Sequence, residues 1–124
     1  MDAETLDHCL ALCRAAGDFD LASTKGKFPV GIDYEIYPAA AMERLHEKAP
    51  LSAEDREHLT KYFYEHPDQF RIRWLEPKEA WRWSKDMFTV DYPRDYDFVQ
   101  RIAGRFSGAS FGLDEILGVL KNAQ

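Results

Sequence analysis

A chain of 124 residues carrying 22 acidic and 16 basic side chains, net charge −6, is long enough for one domain with its own core. The acidic balance, without any basic block or arginine-rich helix, excludes a surface for duplex nucleic acid. An aromatic content of 14% argues against disorder, and no signal peptide or apolar run of membrane-spanning length is present.

Residues 3–16 read as an amphipathic helix, with Leu6, Cys9, Leu10, Cys13 and Ala16 on one stripe, Asp2 as its cap and Gly17 as its stop. Cys9 and Cys13 share a helix face, but no CxxC or HxxxH motif supplies further metal ligands. They read as buried reduced thiols, which places the protein in the cytoplasm. Phe19, Leu21 and Ser23 alternate as a short strand. The loop Lys25-Gly26-Lys27-Phe28-Pro29 offers two lysines either to an anion or to water.

Residues 31–37 form the clearest predicted strand, with Ile32, Tyr34 and Ile36 on one face and Asp33, Glu35 and Tyr37 on the other. Two carboxylates on one face accept hydrogen bonds from sugar hydroxyls or share a cation if that face is a pocket. If it is solvent, they are the polar half of an alternating strand. Pro38 opens a helix to about Lys48 with Ala41, Met42 and Leu45 inward, and Pro50 ends it. A second helix starts at Ser52, with Asp55 in a weak capping box, carries Leu59, Tyr62 and Phe63, and stops at His66-Pro67. The two form a helical hairpin whose aromatic load suggests self-association.

Phe70–Leu75 alternates apolar and basic residues, as an edge strand guarded by arginines does. Residues 76–86 read as irregular, with Trp81 and Trp83 pinning the loop to the core. Phe88-Thr89-Val90 then predicts a strand that stops at Asp91, followed by Pro93 at the first turn of a helix over 93–106 and Asp95 near its positive end. At the carboxyl end of a strand in an α/β sheet, Asp91 is placed either to hold a hard cation on a phosphate or simply to cap the helix. A turn at 108–110 leads to a last helix carrying Leu113, Ile116, Leu117 and Leu120. The alternation of elements predicts α/β layers. The glycine-rich turn that opens a doubly wound nucleotide site is not in this sequence.

Taken together, Phe28–Ile36, Asp55–Tyr62 with His66-Pro67, and Phe88–Asp95 resemble, in order and spacing, the cytidylyltransferase family that activates acidic sugars as CMP-sugars, nearest to its spore coat polysaccharide biosynthesis type. The resemblance covers nearly the whole chain but only the carboxyl-terminal half of the family's domain. It implies a single domain, 1–124, with part of a Rossmann-like nucleotidyltransferase sheet and a helical hairpin, the amino-terminal nucleotide-binding half being absent. It also implies a magnesium-dependent homodimer that transfers CMP from CTP to a sugar. By the same resemblance Asp91 matches the second of two metal-holding aspartates, Gly31, Asp33 and Glu35 lie on the sugar-side strand, and residues 38–66 form the dimer contact.

The chain departs from the family pattern in three places. The nucleotide loop and the first metal aspartate have no counterpart here, Val30 stands where an arginine is usual, and Tyr92 stands where a small hydroxyl residue is usual. Two expectations follow. Either the chain is the sugar-side and dimerisation half of an enzyme, inactive by itself and completed, if it is a split subunit, by a separate nucleotide-binding chain, or it is a non-catalytic dimeric interaction module built on the same scaffold.

Overall fold

The computed structural model describes residues 3–76, 78–83, 88–108 and 110–122. Helix α1 (Ala3–Ala15) ends where Gly17 takes a φ of +73°, a left-handed conformation that favours glycine; its expected cap, Asp2, lies outside the described residues. Among the described residues three short strands follow in the order β2-β1-β3: β1 (Leu21–Ser23), β2 (Glu35–Ile36) and β3 (Ile72–Trp74). The pairing of β1 with β2 is antiparallel and that with β3 parallel, so β3 is an edge, as its arginines predict.

Strand β1 divides the interior. Successive residues of a strand point to opposite faces. Ala22 packs with Cys9 and Cys13 of α1, Phe28, Leu75, Trp81 and the inward face of α6 (Leu113–Asn122). Leu21 packs on the other side with Ala41 and Leu45 of α2 (Ala39–Lys48) and with Tyr62 and Phe63. Each cluster removes apolar surface from water at roughly 25 cal/mol per Å², so both hold the sheet in place.

The long strand predicted over 31–37 shrinks to β2. Ile32 N–H donates to the Pro29 carbonyl at 3.2 Å, Gly31 adopts a φ of +98°, and the Asp33 carboxylate accepts from the Gly31 amide at 3.1 Å. That turn bends the backbone away from the sheet. The alternation survives as a packing pattern, since Ile32, Tyr34 and Ile36 all lie against the first cluster. Pairing also extends past Ser23 through a side chain: Thr24 Oγ1 accepts from Tyr34 N–H at 2.8 Å.

The second helix of the hairpin is broken in two, α3 (Ala53–Glu57) and α4 (Lys61–Glu65). The Ser52–Asp55 capping box is complete, with both reciprocal bonds formed. The break at 58–60 turns Leu59 out to solvent, 58% exposed, while Tyr62 and Phe63 reach the core. Tyr62 stacks on His66 and Phe63 packs edge-on to Phe70. Tyr62 and Phe63 therefore complete this chain's own second cluster, while Leu59 of the same hairpin stays at the surface.

Residues 88–90 do not form the expected strand. Phe88 N–H donates to the Val30 carbonyl at 2.7 Å, but Val90 is exposed, and β-forming residues without a paired neighbour strand do not make a ladder. Helix α5 (Pro93–Ala103) stops short of 106 at Gly104. Between β3 and this region a 3₁₀ turn, Glu79–Trp81, buries Trp81 and lets its indole N–H donate to Asp114 at 2.6 Å. The rest of the 76–86 loop and the 108–110 turn lies partly outside the described residues.

Candidate functional site

The register of the three strands sets one row of side chains across the sheet. Glu35 of β2 and Trp74 of β3 both pair with Ser23 of β1, so all three point to the same face. Tyr64 of α4 lies over this row. Its ring stacks on Trp74 at 5.8 Å between centroids, and its hydroxyl is 2.7 Å from Ser23 Oγ and in hydrogen-bond contact with Glu35. A carboxylate only accepts, so the phenol donates to Glu35 and the Ser23 hydroxyl donates to the phenol. Ser23 Oγ in turn accepts from the Lys25 amide at 3.0 Å. Thr60 closes the array, donating to the other Glu35 oxygen at 2.7 Å.

Burial, reinforced by the Glu35 carboxylate, pushes the Tyr64 phenol well above its ordinary range, so it stays a donor at neutral pH. The Lys25 ammonium sits 4.6 Å from the centre of the same ring, a cation–π contact.

Glu35, Thr60, Tyr64 and Lys25 of this array form one wall of an open cleft of about 890 Å³, also lined by Asp33, Tyr37, Glu57, His58, Lys61 and Glu65. Asp33, Glu35 and Tyr37 thus share a face, as the alternation predicts, and that face lines a cleft. Asp33 also borders a second cleft, of about 750 Å³, together with Gly31, Ser110 and Gly112. Of the two loop lysines, Lys25 reaches the first cleft, whereas Lys27 pairs with Glu76 at 2.9 Å.

Asp91 stands apart from these groups. It is exposed, does not line the Glu35 cleft, and precedes the helix cap Tyr92. Its amide donates to Asp95 at 3.1 Å and the Tyr92 amide does so at 2.8 Å, so Asp95 holds the helix start. Among the described residues no group of three or more His, Cys, Asp or Glu side chains comes together to hold a metal.

Sequence reasoning missed Tyr64, Thr60 and Ser23. The signal was present: Thr60 and Tyr64 are four apart, the spacing that sets two hydroxyls on one helical face, next to a strand carrying carboxylates.

No protein-family model matches the chain. The uncharacterized protein MJ1063 of Methanocaldococcus jannaschii is 30% identical over 108 residues, which is 86% of this chain and 44% of that protein. The spore coat polysaccharide biosynthesis protein SpsF of Bacillus subtilis is 28% identical over 74 residues, 60% of this chain and 31% of that one. A cytidylyltransferase from Leptospira borgpetersenii superposes with a TM-score of 0.85 at 23% identity, covering 99% of this chain and 52% of its own. The chain thus spans about half the length, or less, of the proteins it matches. The fold is that of a cytidylyltransferase, and the resemblance read from the sequence is shown in both sequence and structure.

Proposed function

We propose that this chain supplies the sugar-facing part of a nucleotidyltransferase that moves CMP from CTP to a sugar for surface polysaccharide synthesis, and that it is inactive by itself. The observation that supports this is a cytidylyltransferase fold, matched over 99% of the chain but 52% of the solved protein, that carries an open, hydroxyl-lined carboxylate cleft. In this reading Glu35 and Asp33 accept hydrogen bonds from sugar hydroxyls, and Gly31, whose amide donates to Asp33, makes the turn that presents that carboxylate. Tyr64 and Thr60 fix one rotamer of Glu35, so the acceptor is oriented before the sugar arrives, which lowers the entropy cost of binding.

Triphosphate binding then falls to residues outside this sequence, in a preceding segment or a separate nucleotide-binding chain. Magnesium bound there neutralises phosphate charge, with Asp91 as one carboxylate among ligands drawn mostly from elsewhere. A homodimer through residues 38–66 and work in the cytoplasm, where Cys9 and Cys13 stay reduced, complete the reading.

The test is reconstitution. Purified chain with CTP, magnesium and a sugar panel is expected to release pyrophosphate at background rate, and a chain bearing a glycine-rich phosphate loop restores turnover. Turnover by the 124-residue chain alone overturns the inactive half. A melting temperature unmoved by millimolar magnesium with CMP-sugar favours the non-catalytic dimeric module.

A further inference from the structure

Strand β3 lies at one end of the sheet and pairs with β1 alone. The ladder fixes which of its groups face outward. Leu21 N–H donates to the Arg71 carbonyl at 3.4 Å and Leu75 N–H to the Ser23 carbonyl at 2.8 Å, so residues 71, 73 and 75 turn their backbone toward β1. The N–H and C=O groups of Ile72 and Trp74 point the other way, and among the described residues they meet no backbone partner there. Trp74 is 52% exposed and Ile72 is half-buried, so unpaired backbone groups and apolar side chains lie along one open edge.

Charge decides which strand fits. Arg71 is held by Asp18 and Asp20, at 3.7 and 3.6 Å, whereas Arg73 is exposed and has no carboxylate partner among the described residues. A second copy pairing through both Ile72 and Trp74 runs antiparallel about Arg73 and sets two guanidinium groups directly opposite each other, which is destabilising. The arginine guards the edge against its own copy and leaves it open to a strand that brings a carboxylate. The solved cytidylyltransferase that superposes on 99% of this chain has about as much chain again outside the match, so a segment of comparable size is available to supply that strand.

We propose that the outer edge of β3 takes an extended strand from the nucleotide-binding segment, paired with Ile72 and Trp74 and carrying an acidic side chain opposite Arg73, an inference that rests on the function proposed above. The added strand runs beside Trp74, whose ring carries Tyr64 at the wall of the Glu35 cleft, so docking sets the phosphate-binding part next to the sugar-facing one.

Overlapping peptides from the half of the Leptospira borgpetersenii cytidylyltransferase outside the match, with peptides from the matched half as controls, are added to the isotope-labelled chain while amide exchange is followed. A peptide from the outside half, with Asp or Glu near its centre, is expected to slow exchange of the Ile72 and Trp74 amides. Arg73→Glu is expected to weaken that peptide about threefold to tenfold at low ionic strength, less in about 0.5 M salt. Ile72→Pro, which removes an outward N–H and spares the ladder to β1, is expected to abolish binding. Equal protection by matched-half peptides, or protection in the chain alone that grows with concentration, makes the occupant a second copy and overturns the inference. Protection indifferent to Arg73→Glu overturns it as well, as does no protection by any peptide; the sugar-facing function then still stands, since reconstitution tests it separately. Clear protection of both amides without restored turnover strikes the sugar-facing function and leaves the docking edge in place.

Discussion

The phenol of Tyr64 donates its proton to the carboxylate of Glu35, joining a helix to a strand 29 residues earlier in the chain. The bond ties α4 to the edge of the sheet and closes one wall of the cleft. Tyr64→Phe keeps the ring on Trp74 and removes only this link and the one to Ser23. Urea unfolding is expected to show a loss of about 1 to 2 kcal/mol, the usual range for a hydrogen bond to a charged partner that is partly solvated.

The same bond sets an alkaline limit. The folded phenol has a raised pKa, so between the ordinary tyrosine value near 10 and the folded value the native state binds more protons than the unfolded state. Stability from this group is therefore complete below about pH 10 and falls as pH rises above it. Denaturation midpoints from pH 9 to 11 are expected to drop more steeply for the natural protein than for Tyr64→Phe; parallel curves would contradict the assignment.

Asp20 behaves in the opposite sense. Burial pushes its carboxyl up, but the Arg71 amide and the Arg44 and Arg71 guanidinium groups outweigh that and bring it below its ordinary value. The stability it contributes is present above the unfolded pKa near 4 and is lost as pH falls through the folded one. Because the carboxylate is buried and ties the start of β1 to β3 and α2, Asp20→Asn is expected to cost about 2 to 4 kcal/mol at pH 7. Acid titration of the variant, followed by circular dichroism, should be flatter between pH 4 and 2.

Two glycines with left-handed φ provide an internal comparison. A β-carbon at Gly31 falls 2.7 Å from the Phe88 carbonyl carbon, whereas one at Gly17 meets nothing within 4 Å. Gly17→Ala carries only the conformational cost, about 1 kcal/mol. Gly31→Ala adds a backbone collision and is expected to cost about 2 to 3 kcal/mol while pushing residues 88–89 away from the Pro29–Gly31 turn. Equal melting temperatures for the two variants would show that the 88–89 segment yields freely.

Cys9 is fully buried, and desolvation, with the Cys13 thiol beside it, pushes its pKa up to about 11. Burial raises Cys13 as well. Thiolate is the reacting form, so Ellman's reagent at pH 8 is expected to label neither thiol in the native protein and both in denaturant. Fast labelling of the folded chain would mean that α1 opens.

Much of this architecture was legible because it depends on local chemistry. The Cys9–Cys13 face of α1, the Ser52–Asp55 box and the Asp33–Glu35–Tyr37 face needed only periodicity and hydrogen-bonding type, although the buried side of α1 turns toward Thr5 and Leu12 rather than the predicted Leu6 and Leu10. What failed needed tertiary information. The turn at Gly31 cuts a strand that alternation alone extends to 37, and the apolar spacing of Leu59, Tyr62 and Phe63 gives no sign that the helix breaks so that only the latter two turn inward. Phe88–Val90 have β-forming side chains, yet a ladder depends on a neighbour that local sequence does not specify. The Thr60–Tyr64 spacing is visible in the sequence, but what gives Tyr64 its importance is residues 23, 35 and 74, far away in the chain.

Strand β1 is three residues long, and each of them is entirely enclosed. Leu21 and Ala22 serve opposite clusters while Ser23 supports the cleft, so a bulkier side chain at any of the three presses on something that has already been filled. This makes the strand a conduit: a disturbance on the α1–α6 side passes through a single layer of backbone to the wall holding Glu35. Evolutionary drift in the recognition surface is therefore expected to proceed through α4 and the 31–34 turn, leaving the small central ribbon almost fixed.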